Sequence, residues 1–245
     1  MELGNAWVKD KPIQSLLTIE SLMAFVKNKK AGLQLCQEFI CYNPARLPSP
    51  AQWVTINRYR AVDSFTHVWW MSKSDYPKAD NSRVLRPYSK SMKTLLNKGT
   101  YNSGKRPSEH TISKKSFLTE HTGSICHNVI EIEQMDEMRE IRLPHNALSI
   151  ANTKSNDFFS KECKKNNITP HPARMPAELV SFFIEFLTDK GDIVLDPFAG
   201  SNTTGYCAEY FKRKWISIEI DEEYAQQSKL RFEDPILNSK NLINN

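Results

Sequence analysis

The sequence predicts an α/β fold with a parallel strand pair near its carboxyl end. Three observations carry this. An apolar run, Ile193 to Leu195, ends in the acid Asp196, and a second, Trp215 to Ile218, ends in Glu219. Between them the small-residue turn Ala199-Gly200-Ser201-Asn202 opens into a segment with helical spacing. Strand, turn, helix and strand in that order make a βαβ unit, the mark of a parallel sheet. At 245 residues and 40% hydrophobic content, the chain is long enough for one large α/β domain with an insertion.

The other elements follow in chain order. Residues 12–30 read as a helix: Ser15 is a candidate N-cap, and Leu16, Ile19, Met23 and Val26 follow helical spacing. Leu33 to Tyr42 reads as a strand. Phe65 to Met71, rich in β-branched and aromatic residues, reads as a buried strand. Residues 80–150 are polar and punctuated by Gly, Ser, Asn and Pro, and read as an irregular insertion. Residues 177–189 form an amphipathic helix with Leu179, Phe182, Phe183 and Phe186 along one face, a core-packing face. Helix 203–211 turns Cys207, Ala208 and Phe211 inward, and the tail after Pro235 reads as frayed. The domain reading is therefore 1–79, an insertion 80–150, a nucleoside-binding part 151–235 and a tail 236–245.

The turn carries chemistry. Backbone that approaches a ligand closely favours residues with little side chain. Amides at the start of the following helix attract negative charge. Glu219 lies about twenty residues beyond the turn, where an acid accepts ribose hydroxyls. The turn is not G-x-G-x-x-G, because Asn202 stands where a second glycine would sit. A pyrophosphate would lose its closest approach there, and Asp196 would repel it. A nucleoside without phosphates fits better, and S-adenosylmethionine is such a ligand.

Bulk properties exclude several classes. No apolar run approaches the roughly twenty residues needed to span a bilayer, and Lys9, Asp10 and Lys11 interrupt any secretory signal. Cys36, Cys41, Cys126, Cys163 and Cys207 are scattered and lack zinc spacing, so they read as reduced thiols of a cytoplasmic protein without a metal site. Net charge is +5. Between Lys73 and Lys115, however, eleven Lys or Arg residues face only Asp75, Asp80 and Glu109, with Tyr76, Tyr88 and Tyr101 interleaved. Such a stretch is either a solvated surface or a phosphate-binding one.

Several motifs resemble one family. Asp196-Pro197-Phe198-Ala199-Gly200-Ser201-Asn202-Thr203-Thr204 resembles motif I of the amino-methylating DNA methyltransferases of restriction–modification systems. His171-Pro172-Ala173-Arg174-Met175-Pro176 and the helix after it resemble their motif X. Together they match the permuted beta group, in which the cofactor half follows the catalytic half. Trp69 to Asn81, Asn43 to Pro48 and Ile150 to Thr153 resemble its cytosine-N4 branch. The resemblance runs from about Leu3 to Phe232. It implies an S-adenosylmethionine-dependent methyltransferase (Rossmann-like) fold with an incomplete sheet and a target-recognition insertion. The implied function is site-specific transfer of a methyl group from S-adenosylmethionine to N4 of cytosine in double-stranded DNA.

By the same resemblance, His171, Pro172, Ala173, Asp196, Phe198, Ala199, Gly200, Ser201, Thr203 and Glu219 would bind the cofactor. In the insertion, Asn102, Lys105, Arg106 and His110 are the candidate DNA contacts. No cysteine follows a proline, which speaks against cytosine carbon-5 chemistry. The family's catalytic Ser/Asp/Asn-Pro-Pro-Tyr/Phe tetrapeptide does not occur, and Pro48-Ser49-Pro50-Ala51 lacks its second consecutive proline and its aromatic ring. No catalytic residue is assigned. The chain begins where family members are already past that motif. Three readings stay open: a methyltransferase whose start is internal or which is assembled from two polypeptides, the other an N-terminal fragment; a non-catalytic remnant that binds DNA, cofactor or neither; and a different nucleoside-binding module with no DNA role.

Overall fold

The computed structural model describes residues 1–131, 157–172 and 174–239. These divide into two compact units. The first holds Met1–Lys78 and the described residues from His127. The second holds Ala79–Cys126 and the described residues from Asp157. Ile150 to Thr153 and Ala173 lie outside the described residues.

The first unit is a four-stranded sheet in the order β1-β3-β2-β6. Its strands are β1 (Glu2–Gly4), β2 (Gln34–Tyr42), β3 (Phe65–Ser72) and β6 (Val129–Glu131), the last numbered after two short strands of the second unit. β1 and β2 both run antiparallel to β3, with Leu3 opposite His67 and Phe39 opposite Val68. The β2 register shifts between Leu35 and Gln37. Phe39, Cys41 and Val68 are buried on one face of the sheet and Trp69 on the other. Across the strands, Glu38 takes the Trp69 indole N–H at 3.1 Å and pairs with His67 at 2.7 Å.

Two expectations are corrected in this unit. The helix, α1, is shorter than residues 12–30 and spans Leu17–Lys27. Ser15 accepts the Leu17 N–H, but Leu16 is the residue that precedes the helix. Only Thr18 is buried, and Leu16, Ile19 and Met23 stand exposed, so the apolar spacing makes a helix without covering its face. The segment expected to be wholly irregular also contains β6. There, two apolar residues at the end of a polar run supply a parallel partner for Ile40 and Cys41 of β2.

The second unit carries the βαβ pattern. β7 (Ile193–Asp196) and β8 (Lys214–Ser217) are parallel, with Leu195 opposite Ile216 and Asp196 opposite Ser217. α4 (Ala177–Leu187) and α5 (Thr203–Tyr210) supply most of its core, Val180, Ile184, Tyr206, Cys207 and Ala208 among them, and Val194 and Trp215 pack against it. Strand alternation sends Ile193, Leu195 and Ile216 to the opposite face. Each is more than half exposed, as is Ile218 just beyond β8. A sheet of this kind normally carries helices on both faces, and this one is covered on one face among the described residues.

The insertion is more regular than expected. Ser89 caps α2 (Lys90–Lys98) by accepting the Met92 N–H, and Gly99, in the left-handed region at φ 65°, closes it. β4 (Gly104–Lys105) and β5 (Thr111–Ile112) form a small hairpin. α3 (Phe158–Lys165) and α6 (Glu222–Ser228) complete the unit with α7 (Pro235–Ser239). The last corrects the expected frayed tail: Leu237 packs against the core, and residues 240–245 lie outside the described residues. No described helix is long and apolar enough to cross a membrane.

The carboxyl end of α4 is held by two arginines. Arg83 and Arg213 each donate to the Thr188 carbonyl at 2.7 Å, and Arg213 also reaches the Phe211 carbonyl at 2.6 Å. Helix ends leave carbonyls without partners, and a cation there also complements the helix dipole. Arg213→Ala removes the guanidinium from the buried Phe211 carbonyl and leaves Arg83 alone on that of Thr188. Stability should fall by about 2–4 kcal/mol, read from the urea unfolding midpoint; a loss within error would show the pairing to be dispensable.

Candidate nucleoside site

The site is built where β7 and β8 end. Asp196 closes β7 and folds the following turn onto itself. Its carboxylate accepts the Phe198 N–H at 3.0 Å and the Thr204 hydroxyl at 2.6 Å. The Ala199 N–H then donates to the Ile218 carbonyl at 2.9 Å, and Ile218 N–H returns a 2.9 Å bond to Asp196. These two bonds extend the strand ladder and bring the turn against the segment after β8.

Gly200 occupies the point of closest approach, in the left-handed region at φ 51°. A Cβ there would lie 3.4 Å from the His171 ring. His171 in turn meets Tyr224 edge to face at 4.5 Å between centroids. The Gly200 N–H donates to Glu219 at 2.6 Å, and the other carboxylate oxygen of Glu219 takes the Asp221 N–H at 3.0 Å. The Asp221 and Gly200 amides hold the Glu219 carboxyl below its ordinary pKa, and the His171 charge adds to this. A carboxylate has about four lone-pair positions. The amides of Gly200, Asp221 and Ile220 act on it and do not fill them all.

Asn202 explains why no phosphate motif stands here. It adopts the left-handed conformation at φ 56° and caps α5, its side-chain oxygen accepting the Gly205 N–H at 3.0 Å. The same oxygen takes the Ser217 hydroxyl at 2.6 Å. The amide oxygen therefore occupies the helix start that an anion would use. Gly205 permits this, because a Cβ on it would lie 2.3 Å from that oxygen.

The structure brings His171, Asp196, Ala199, Gly200 and Glu219 together. Phe198 stands 88% exposed beside them, and Pro172 is exposed. Ser201 and Thr203 are placed differently from a ligand cradle. Both are buried with their hydroxyls 3.5 Å apart, so they support the turn from beneath. Asn102, Lys105, Arg106 and His110 gather at the β4–β5 hairpin. The Arg106 guanidinium donates to the Asn102 carbonyl at 2.7 Å and so braces the hairpin, while Asn102, Lys105 and His110 are exposed.

Sequence reasoning missed a buried layer under the turn: Arg231, Asp157 and Arg174. Arg231 donates to the Ser201 carbonyl at 2.8 Å and to its hydroxyl at 3.2 Å. Asp157 caps α3 through the Ser160 N–H and pairs with Arg174 at 3.2 Å. Arg174 lies inside a motif already singled out, but nothing local marks Arg231.

A strand-end acid, a glycine turn and a buried helix on a parallel pair define a nucleoside-binding α/β fold of the methyltransferase type. The DNA methylase family model, covering N6 and N4 methyltransferases, matches residues 8–230, and the chain belongs to that family. It is 39% identical over 236 residues to Type II methyltransferase M.PvuII of Proteus hauseri, covering 96% of this chain and 64% of that protein. The solved PvuII DNA methyltransferase (cytosine-N4-specific) superposes with a TM-score of 0.67 at 30% identity, over 97% of this chain and 67% of that one. DNA adenine methyltransferase YhdJ of Escherichia coli is 46% identical over 63 residues, 26% of this chain and 21% of that protein. The chain thus spans less than two thirds of the length of M.PvuII.

Glu178, in the first turn of α4, gives the unit a pH signature. Burial pushes its carboxyl up to about 7 from 4.5. The native state therefore keeps a proton that the unfolded chain releases. Stability is full below pH 4.5 and falls as pH rises toward 7. Glu178→Gln should match the parent at pH 5 and exceed it at pH 8 by up to about 3 kcal/mol, measured by thermal unfolding. Equal stability of the two proteins at pH 8 would contradict the buried-carboxyl account.

Proposed function

We propose that this chain carries the cofactor-binding and target-recognition parts of a site-specific DNA methyltransferase of a restriction–modification system. The methyl group comes from S-adenosylmethionine and goes to an exocyclic amino nitrogen, N4 of cytosine. The single observation behind this reading is the crevice at the ends of β7 and β8, where the Gly200 amide and the Glu219 carboxylate meet at 2.6 Å. A nucleoside sugar fits such a carboxylate, and the capped helix start disfavours a phosphate.

Glu219 accepts the ribose hydroxyls. Phe198, Ala199 and Gly200 line the nucleoside, and Ser201 and Thr203 act through the turn they support. Asp196 holds the turn. His171, Pro172 and Ala173 close the methionine end. Bound S-adenosylmethionine supplies an electrophilic methyl on sulfur; the chain's own residues orient it and exclude water. The choice of cytosine rests on similarity to M.PvuII over 96% of this chain, since the short stretch shared with YhdJ extends to a protein named for adenine. Lys105 and His110, exposed on the hairpin with Asn102 and Arg106, meet DNA, and binding weakens as salt rises.

Two observations favour a site completed by a further segment, on this polypeptide or on a second one. The apolar face of Ile193, Leu195, Ile216 and Ile218 is open among the described residues, and no Pro-Pro-aromatic tetrapeptide occurs in the chain. An N-terminal methyltransferase fragment bearing that tetrapeptide would cover the face and supply the catalytic group.

Isothermal titration with S-adenosylmethionine tests the reading. Glu219→Ala should weaken binding at least about tenfold, and adding an N-terminal fragment of the M.PvuII type should tighten it and confer methylation. Unaltered affinity of Glu219→Ala would remove the nucleoside assignment. Full methylation by the chain alone would remove the need for a further segment.

A further inference from the structure

We propose that Arg231 is the positioning residue of the cofactor turn, acting from beneath on the face opposite the ligand. The inference rests on the nucleoside reading of that turn and assigns a role to a residue outside it.

Arg231 lies in the short 3₁₀ turn Lys229–Glu233 after α6. Its side chain is 7% exposed. Nε donates to the Ser201 carbonyl at 2.8 Å, and one Nη donates to the Ser201 hydroxyl at 3.2 Å. The other Nη lies 3.9 Å from Asp157. The guanidinium carbon sits 4.4 Å from the centre of the Phe159 ring and 5.8 Å from that of Tyr206. The group is thus fixed in plane by hydrogen bonds and flanked by rings, a setting that suits the planar guanidinium and not an ammonium.

The geometry makes this more than core filling. The Gly200 N–H is held by Glu219 on the open side, and the Ser201 carbonyl is held by Arg231 on the buried side. Those two groups belong to adjacent residues, so the orientation of the turn is set from both directions. Asn202 follows at once, and its own N–H closes the turn on the Ala199 carbonyl at 2.7 Å. Behind Arg231, Asp157 is shared with Arg174, which also donates to the Ser160 hydroxyl at 2.8 Å. The layer therefore ties the turn to the start of α3 and to the motif containing His171. Binding sites work when their contacts are held by a second layer of this sort, and a turn ordered before the ligand arrives costs less affinity to fix.

The test compares Arg231→Lys with the parent and with Arg213→Lys, a buried arginine at the far end of α4. Amide hydrogen exchange is followed by NMR at Gly200, Asn202 and Gly205, beside thermal unfolding and titration with S-adenosylmethionine. In Arg231→Lys those amides should exchange about tenfold faster, and cofactor affinity should fall about tenfold, with a fold that stays cooperative. Arg213→Lys should lower stability without singling out those amides. Where Arg231→Lys does not fold, Asp157→Asn keeps the α3 cap and removes the charge behind Arg231; it should accelerate the same amides. Unchanged exchange at the turn in the folded variant, or equal acceleration in Arg213→Lys, overturns the proposal. Should the parent fail to bind S-adenosylmethionine, the nucleoside reading falls, and the exchange arm still decides the role of Arg231.

Discussion

The hydrogen bond from the Gly200 amide to the Glu219 carboxylate, 2.6 Å long, is the contact on which the site depends. It joins the turn after β7 to the acid after β8, and it does so only because the two strands are parallel and in register. Leu195 lies opposite Ile216 and Asp196 opposite Ser217, so the turn and the acid emerge at the same edge. Ligands of open α/β sheets bind beyond the carboxyl ends of their strands. Here that edge is organised by short bonds within the chain. Asp196 folds the turn, Asn202 caps the helix, and Glu219 keeps lone pairs on its open side.

The packing behind the edge explains why a turn of small residues holds one shape. α5 is buried along nearly its whole length, with Cys207 and Ala208 at 0% exposure. A helix so placed cannot shift without opening the core. The turn is therefore anchored to the strand at one end and to an immobile helix at the other. The opposite face of β7 and β8 lacks such cover among the described residues.

Much of the fold was legible in the chain because its signals are local. Apolar runs ending in acids gave β7 and β8, and helical spacing gave α4 and α5 within two residues. Glycine at Gly200 pointed to close approach, and the structure puts a histidine ring 3.4 Å from where a Cβ would stand. What was not legible depends on long-range contact. Arg231 carries no local mark, since the Ser201 carbonyl it satisfies lies thirty residues away. Arg106 read as a candidate DNA contact, and its bond to the Asn102 carbonyl, which braces the hairpin, carried no local mark. β6 hid in a polar segment because only the free edge of β2 makes Val129 and Ile130 a strand. Asn202 read as the loss of a glycine, and its gain as a left-handed helix cap needs the glycine at 205 to be seen.

One measurement bears most directly on the account: the crystal structure of this chain soaked with S-adenosylmethionine. The account predicts density for the nucleoside in the crevice beyond Leu195 and Ser217, its ribose hydroxyls on Glu219 and its methionine end toward His171. An occupied site elsewhere on the molecule, with Glu219 still bonded only to backbone amides of its own chain, would contradict it.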